Sequence, residues 1–90
     1  MGSRRRPQPI RLPDKLLRIR QSLDLTQEQM SRQLETERAP VYPTHISEFE
    51  RGLREPSLLA LLQYARLAGV STDVLIDDNL DLPAKLKRAR

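Results

Sequence analysis

The chain has 90 residues, of which 38% are hydrophobic, 31% charged and 3% aromatic, with one histidine, no cysteine and a formal net charge of +4. This is one domain at most, and a domain so small buries only about 60% of the surface that its unfolded chain exposes, so it gains from a partner. Without cysteine there is no disulfide and no thiolate metal site, and one histidine cannot supply a Cys/His pair or a two-histidine metal site within one chain.

The three glycines form no phosphate-binding loop. No apolar run approaches the roughly 18 residues of a membrane span, and no signal peptide is visible. The expectation is a cytoplasmic protein that is not an enzyme, with no cofactor, metal, membrane or small-molecule ligand. Charge is unevenly spread. Arg4, Arg5, Arg6 and Arg11 lie at one end and Lys85, Lys87, Arg88 and Arg90 at the other, while all 12 acidic residues fall between Asp14 and Asp81. Two cationic ends therefore flank a net acidic middle. Basic ends suit a polyanion partner, or are simply solvated.

Residues 1–13 hold three prolines and four arginines and read as a basic disordered arm. From there Leu12, Leu16, Ile19 and Leu23 recur at helical spacing, which predicts a first helix from about Asp14 to Leu23 with Pro13 near its first turn. Thr26-Gln27-Glu28-Gln29 is a capping box, and Leu25 and Met30 stand at the two positions of a hydrophobic staple. A second helix should start at Gln27, with Met30 and Leu34 inward. Before Pro40 either this helix gains a turn or a loop bulges out.

Pro43 suits the first position of a third helix. Ile46, Phe49 and Leu53 give its apolar side, and Gly52 is a natural stop. Ser57 caps a fourth helix with an apolar face of Leu58, Leu61, Leu62, Ala65 and Ala68, closed by Gly69. A fifth short helix opens at Val70-Ser71, with Ser71 as cap and Val70 able to staple onto Leu75. Asp77, Asp78 and Asp81 lack the glycine and distal glutamate of a calcium loop and read as a solvated helix end. No stretch reads as a strand.

A capped helix, a turn and a second helix, followed by two more, is the helix-turn-helix plan. The stretches LRIRQSLDLTQEQM, HISEFERGLREPSL and LLQYARLAGVSTDVLI resemble the Cro/cI-like (Xre-type) helix-turn-helix family over about residues 14–77. The resemblance implies an all-α, five-helix lambda-repressor-like domain over 14–77. The turn between helices 2 and 3 is longer than the family's usual one, and residues 78–90 form a tail that dimerises or extends the basic surface. It also implies a sequence-specific double-stranded DNA-binding transcriptional regulator, a repressor acting as a homodimer.

Residue by residue, Pro43, Thr44 and Glu48 match the family's frequent base-contacting positions, and Tyr42 its helix-3 N-cap. His45 and Ser47 join them as outward positions at the start of helix 3. Glu48 can accept from a cytosine amine or remain a solvated carboxylate. Gln27, Arg51 and Arg54 match positions that grip phosphates, and the arm's Arg4, Arg5 and Arg6 can lie along the backbone or enter a narrow minor groove. Arg20 and Glu50 match family positions that pair across the fold. Leu75, Leu80, Leu82 and Leu86 are the candidate dimer surface, or else a tail folded back on its own core. The competing class is a protein-interaction module, antitoxin- or adaptor-like, on the same scaffold.

Overall fold

Helical spacing of apolar residues sets the first element, α1 (Leu12–Ser22), whose Leu12, Leu16 and Ile19 are buried. Four more helices follow: α2 (Gln27–Leu34), α3 (Pro43–Glu50), α4 (Leu58–Ala68) and α5 (Thr72–Ile76). The computed structural model describes residues 9–36 and 39–86. Arg4, Arg5, Arg6, Lys87, Arg88 and Arg90, cations of the two basic ends, lie outside the described residues. Among those described there is no strand, only an isolated bridge between Thr36 and Ala39.

The helices start and stop for local reasons. Thr26 Oγ1 accepts the Gln29 N–H at 3.1 Å, and Gln29 Oε1 accepts the Thr26 N–H at 2.9 Å, which closes the capping box at α2. Ser57 Oγ accepts the Ala60 N–H at 3.1 Å to start α4. Such caps are each worth about 1 kcal/mol. After α3, Gly52 takes a left-handed φ of 74°. The Leu53 N–H then reaches the Glu48 carbonyl at 2.8 Å and the Gly52 N–H reaches that of Phe49 at 3.2 Å, a Schellman ending that turns the chain sharply toward α4.

Leu16, Ile19, Met30, Leu34, Ile46, Tyr64 and Leu75 are the large side chains fully withdrawn from solvent. Each stabilises the fold by about 1.5–3 kcal/mol through burial. One core therefore draws on all five helices, and α3 is held by α1 and α2 from behind.

Several expectations need correction. Helix α1 starts at Leu12, so Leu12 and Pro13 belong to the domain and not to an arm. Ile10 and Arg11 are also fastened, since both backbone N–H groups donate to the Asp78 carboxylate at 2.9 Å. Leu53 is 67% exposed and Leu58 83% exposed, so neither joins the core face. On α4 the inward face is Ala60, Leu61, Tyr64, Ala65 and Ala68. Ser71 makes no side-chain cap. Of the two readings of residues 78–86, the structure has the tail folded back on its own core: Leu82 is buried there and Leu86 packs against it.

The polar groups after α5 are organised as well. Lys15, itself buried, donates from Nζ to the carbonyls of Val74 (2.7 Å), Asp77 (3.0 Å) and Leu80 (2.7 Å). Lys15 thus satisfies carbonyls at and after the end of α5, of which that of Asp77 also accepts the Leu80 N–H at 3.0 Å. Arg11 bonds the Asp78 carbonyl and pairs with Asp81, and Asp77 accepts the Asn79 N–H. The acidic run, expected to be merely solvated, is thus bound to the start of α1.

Candidate nucleic-acid interface

Positions 44, 47, 48 and 51 are three, one and three residues apart, which places them on one side of α3. Ile46 and Phe49 point the other way, into the core. Thr44 and Arg51 are exposed, and Ser47 and Glu48 are half-buried. Pro43 and Tyr42, also exposed, continue this surface at the N-terminal end of the helix.

Behind it, Glu50 joins three helices. Its carboxylate accepts from Arg20 Nε at 2.6 Å and Arg20 Nη2 at 3.1 Å, a bidentate pair between α1 and α3. Arg20 Nη1 also donates to the Leu25 carbonyl at 2.9 Å. The Glu50 side chain is 5% exposed and that of Arg20 17% exposed. Donating to Glu50 raises the Arg20 pKa further, so the guanidinium stays charged. Burial raises the Tyr64 hydroxyl well above its usual range, so this neighbour stays neutral.

Gln27 is the third partner, with Nε2 donating to Glu50 Oε1 at 3.2 Å. Its amide is therefore engaged inside the protein, at the start of α2, where free backbone N–H groups favour an anion. The geometry couples the α2 N-terminus directly to the orientation of α3.

His45 is set apart from the other outward residues of α3. Its ring lies 6.5 Å from that of Phe49 and 5.4 Å from that of Tyr42. Its Nδ1 accepts the Tyr42 N–H at 3.2 Å. Tyr42 has no side-chain acceptor suited to capping, so His45 supplies half of the missing cap, with the ring proton then on Nε2. It serves the start of α3 and faces a groove that Pro40, Val41, Arg54 and Ala60 also line.

Arg54 is not free to reach outward alone. Its Nε donates to Glu48 Oε1 at 2.7 Å. That bond holds the Glu48 carboxyl below its usual range, with smaller help from His45 and Arg51. Among the described residues the Arg51 side chain makes only a long bond, from Nε to the Ser47 carbonyl at 3.4 Å.

The α2–α3 connection spans residues 35–42. Helix α2 ends at Leu34, and Glu35 is already extended, with ψ at 138°. Thr36 and Ala39 then exchange backbone hydrogen bonds of 3.3 and 3.2 Å, so the connection is pinched at its base.

Two packed helices, the second displayed on its outer side and held rigidly from behind, define a helix-turn-helix protein. The chain belongs to the Cro/cI-type helix-turn-helix family: the family model, described as helix-turn-helix, matches residues 16–75. The family is one of DNA-binding regulators, and that is the class of this protein. Comparison with curated proteins gives no match. Among the described residues no helix is long and apolar enough to cross a membrane.

The residues that sequence reasoning missed are Lys15 and Tyr64. Lys15 sits beside Leu16 and Ile19 on an amphipathic helix and gives no signal that its amine turns inward. Tyr64 falls three residues after Leu61 and four before Ala68, so the helical period could have placed it in the core.

Proposed function

We propose that this protein is a transcriptional repressor that binds a two-fold-related operator in double-stranded DNA as a homodimer. The observation that carries this reading is the outer face of α3, with Thr44, Ser47, Glu48 and Arg51 on one side and the Arg20–Glu50 pair fixing the helix from behind. Thr44, Ser47 and Glu48 face the base edges, and Tyr42 and Pro43 border the groove. Arg51 and the α2 N-terminus near Gln27 take phosphates, as do Arg4, Arg5 and Arg6 from the N-terminal end.

A single recognition helix covers only a few base pairs, and pairing sets two of them about 34–36 Å apart. Leu75 and Leu82 are spent on the protein's own core, which removes them from the dimer surface first expected. Leu58 and Ile76 remain exposed, beside Pro9 and Pro56 in a groove of about 560 Å³. A second copy can cover that groove. The same groove supports the rival reading of a protein-interaction module.

Selection from random DNA, followed by titration at several salt concentrations, tests the proposal. Thr44→Ala should relax sequence preference. Arg51→Ala should weaken all sequences about equally and reduce the log-salt slope by about one phosphate's worth. A chain that enriches no sequence is the outcome expected of the rival. Light scattering that shows a monomer both free and on DNA would remove the dimer.

A further inference from the structure

We infer that Glu48 and Arg54 act on DNA as a single reading unit, with one acceptor beside two donors, matched to the major-groove edge of a G·C base pair. The inference rests on the reading of α3 as the recognition helix, and deepens it by naming what one pair of side chains recognises.

Geometry is the first support. Arg54 uses Nε to bond Glu48 Oε1 at 2.7 Å. The bond leaves Glu48 Oε2 and both terminal nitrogens of Arg54 without a protein partner among the described residues. Glu48 lies four residues after Thr44 and three before Arg51, on the outward side of α3. Arg54 follows the Gly52 turn, yet its side chain returns to that face. Neither group is buried: the side chains are 33% exposed for Glu48 and 51% for Arg54. As a plain surface ion pair it would contribute little to stability.

Complementarity is the second. A G·C pair presents N7 and O6 of guanine as adjacent acceptors and N4 of cytosine as a donor. The two terminal nitrogens of Arg54 can donate to N7 and O6 together, while Glu48 Oε2 accepts from N4. An A·T pair sets the adenine amino group, a donor, where the second Arg54 nitrogen needs an acceptor.

Charge is the third. Alone, Arg54 would suit a phosphate. Beside the Glu48 carboxylate the pair is neutral, gains little from the phosphate backbone, and carries a carboxylate that phosphates repel. Its contribution should therefore appear in sequence preference and hardly in salt dependence. The pairing also accounts for a carboxylate on a face meant for a polyanion, since Arg54 neutralises it before DNA arrives.

Selection from random DNA with the full chain decides this, using the unmodified protein, Glu48→Ala, Arg54→Ala and the double variant. Circular dichroism confirms that each variant folds, as exposed side chains lead one to expect. The unmodified protein should select a G·C pair at one position of each half-site. Each single variant should lose that preference, by roughly five- to hundred-fold, the discrimination of a good bidentate base contact. The double variant should be no worse than the worse single one. Glu48→Gln keeps an acceptor for Arg54 but can turn a donor outward, and should move the preference away from cytosine at that position alone.

Three results would overturn the inference. Arg54→Ala could weaken all sequences alike with a shallower salt slope, which makes Arg54 a phosphate contact. Glu48→Ala could strengthen all sequences alike, which makes Glu48 mere repulsion. Or the consensus could survive in all four variants unchanged, which makes the pair a bystander. An unmodified protein that selects no sequence removes the DNA-reading function as well, and that outcome is distinct because it needs no variant.

Discussion

Near its C-terminal end, α1 is fastened to α3 by Arg20 and Glu50. Near its N-terminal end it is fastened to the segment after α5 by Lys15, Arg11 and Asp78. The first attachment is a charge pair between two largely buried side chains, closed on itself and seconded by Gln27. The second joins side chains to backbone: Lys15 takes three carbonyls, and Asp78 takes two N–H groups. One fixes the angle at which a recognition helix is displayed. The other ends a short helix and holds Leu82 in the core. A buried charge pair loses most when one partner is removed, because the survivor is left uncompensated. A backbone cap loses less, because the groups it leaves behind are neutral carbonyls and N–H groups and not an uncompensated charge.

That contrast orders the expected effects. Glu50→Ala should be the most damaging, since it leaves Arg20 with only the Leu25 carbonyl and frees the Gln27 amide. Breaking a buried pair costs about 3–5 kcal/mol. For a domain of this size the melting temperature should fall by more than about 10 °C. Arg20→Ala should do nearly as much, and Glu50→Gln less, because an acceptor remains. A thermal melt that moves by under about 4 °C would show that the two attachments do not differ in kind.

Lys15→Met comes next. The methionine keeps the apolar stem but removes the amine, so the carbonyls of Val74 and Leu80 lose their donor and that of Asp77 keeps only the Leu80 N–H. The expected loss is about 1–3 kcal/mol. It should also be local. Hydrogen exchange should quicken across α5 and the residues up to Leu82, while α2 and α3 keep their protection below the global unfolding limit. Equal acceleration in every helix would mean that Lys15 supports the whole core and not one end of it.

The same contrast explains what could be read from the sequence. Caps at Thr26, Gly52 and Ser57 are local: each bond spans three to five residues, so residue type and spacing are enough. The meeting of Arg20 and Glu50, thirty positions apart, is legible only through likeness to a family in which such positions pair. The Lys15 and Asp78 bonds span 59 to 68 positions and end on backbone atoms, which carry no residue identity to read. Leu53 and Leu58 look apolar-periodic, but the Gly52 turn carries Leu53 off the α3 face and α4 turns its inward face to begin at Ala60 and Leu61, so both are exposed. Leu82 stands alone among polar residues, and only the docking of its segment by Lys15 and Arg11 makes it core. On α3 the period separates outward from inward residues. It does not reveal that His45 supplies a cap or that Arg54 folds back onto Glu48.

The smallest effect should come from Asp78→Ala, and acid should expose it. Asp78 accepts the Arg11 and Ile10 N–H groups, which hold its carboxyl below the ordinary value of 3.8. A carboxyl depressed in the folded state stabilises the protein fully above its unfolded pKa. The contribution then fades as pH falls below about 4 and through the folded value, because the native state must take up a proton that it resists. The unmodified protein should therefore melt higher than Asp78→Ala at neutral pH, and the gap should close as the pH is lowered toward about 2.5. Asp81, held down by Arg11, should follow the same course. Both proteins will lose stability in acid, since Glu48 is depressed too, so the difference between them is the quantity to follow. A gap that keeps its size throughout the titration would mean that the carboxylate's charge contributes nothing. The α1 attachment would then rest on hydrogen bonds that do not need that charge, those of Lys15 to its three carbonyls and of Arg11 to the Asp78 carbonyl and to Asp81.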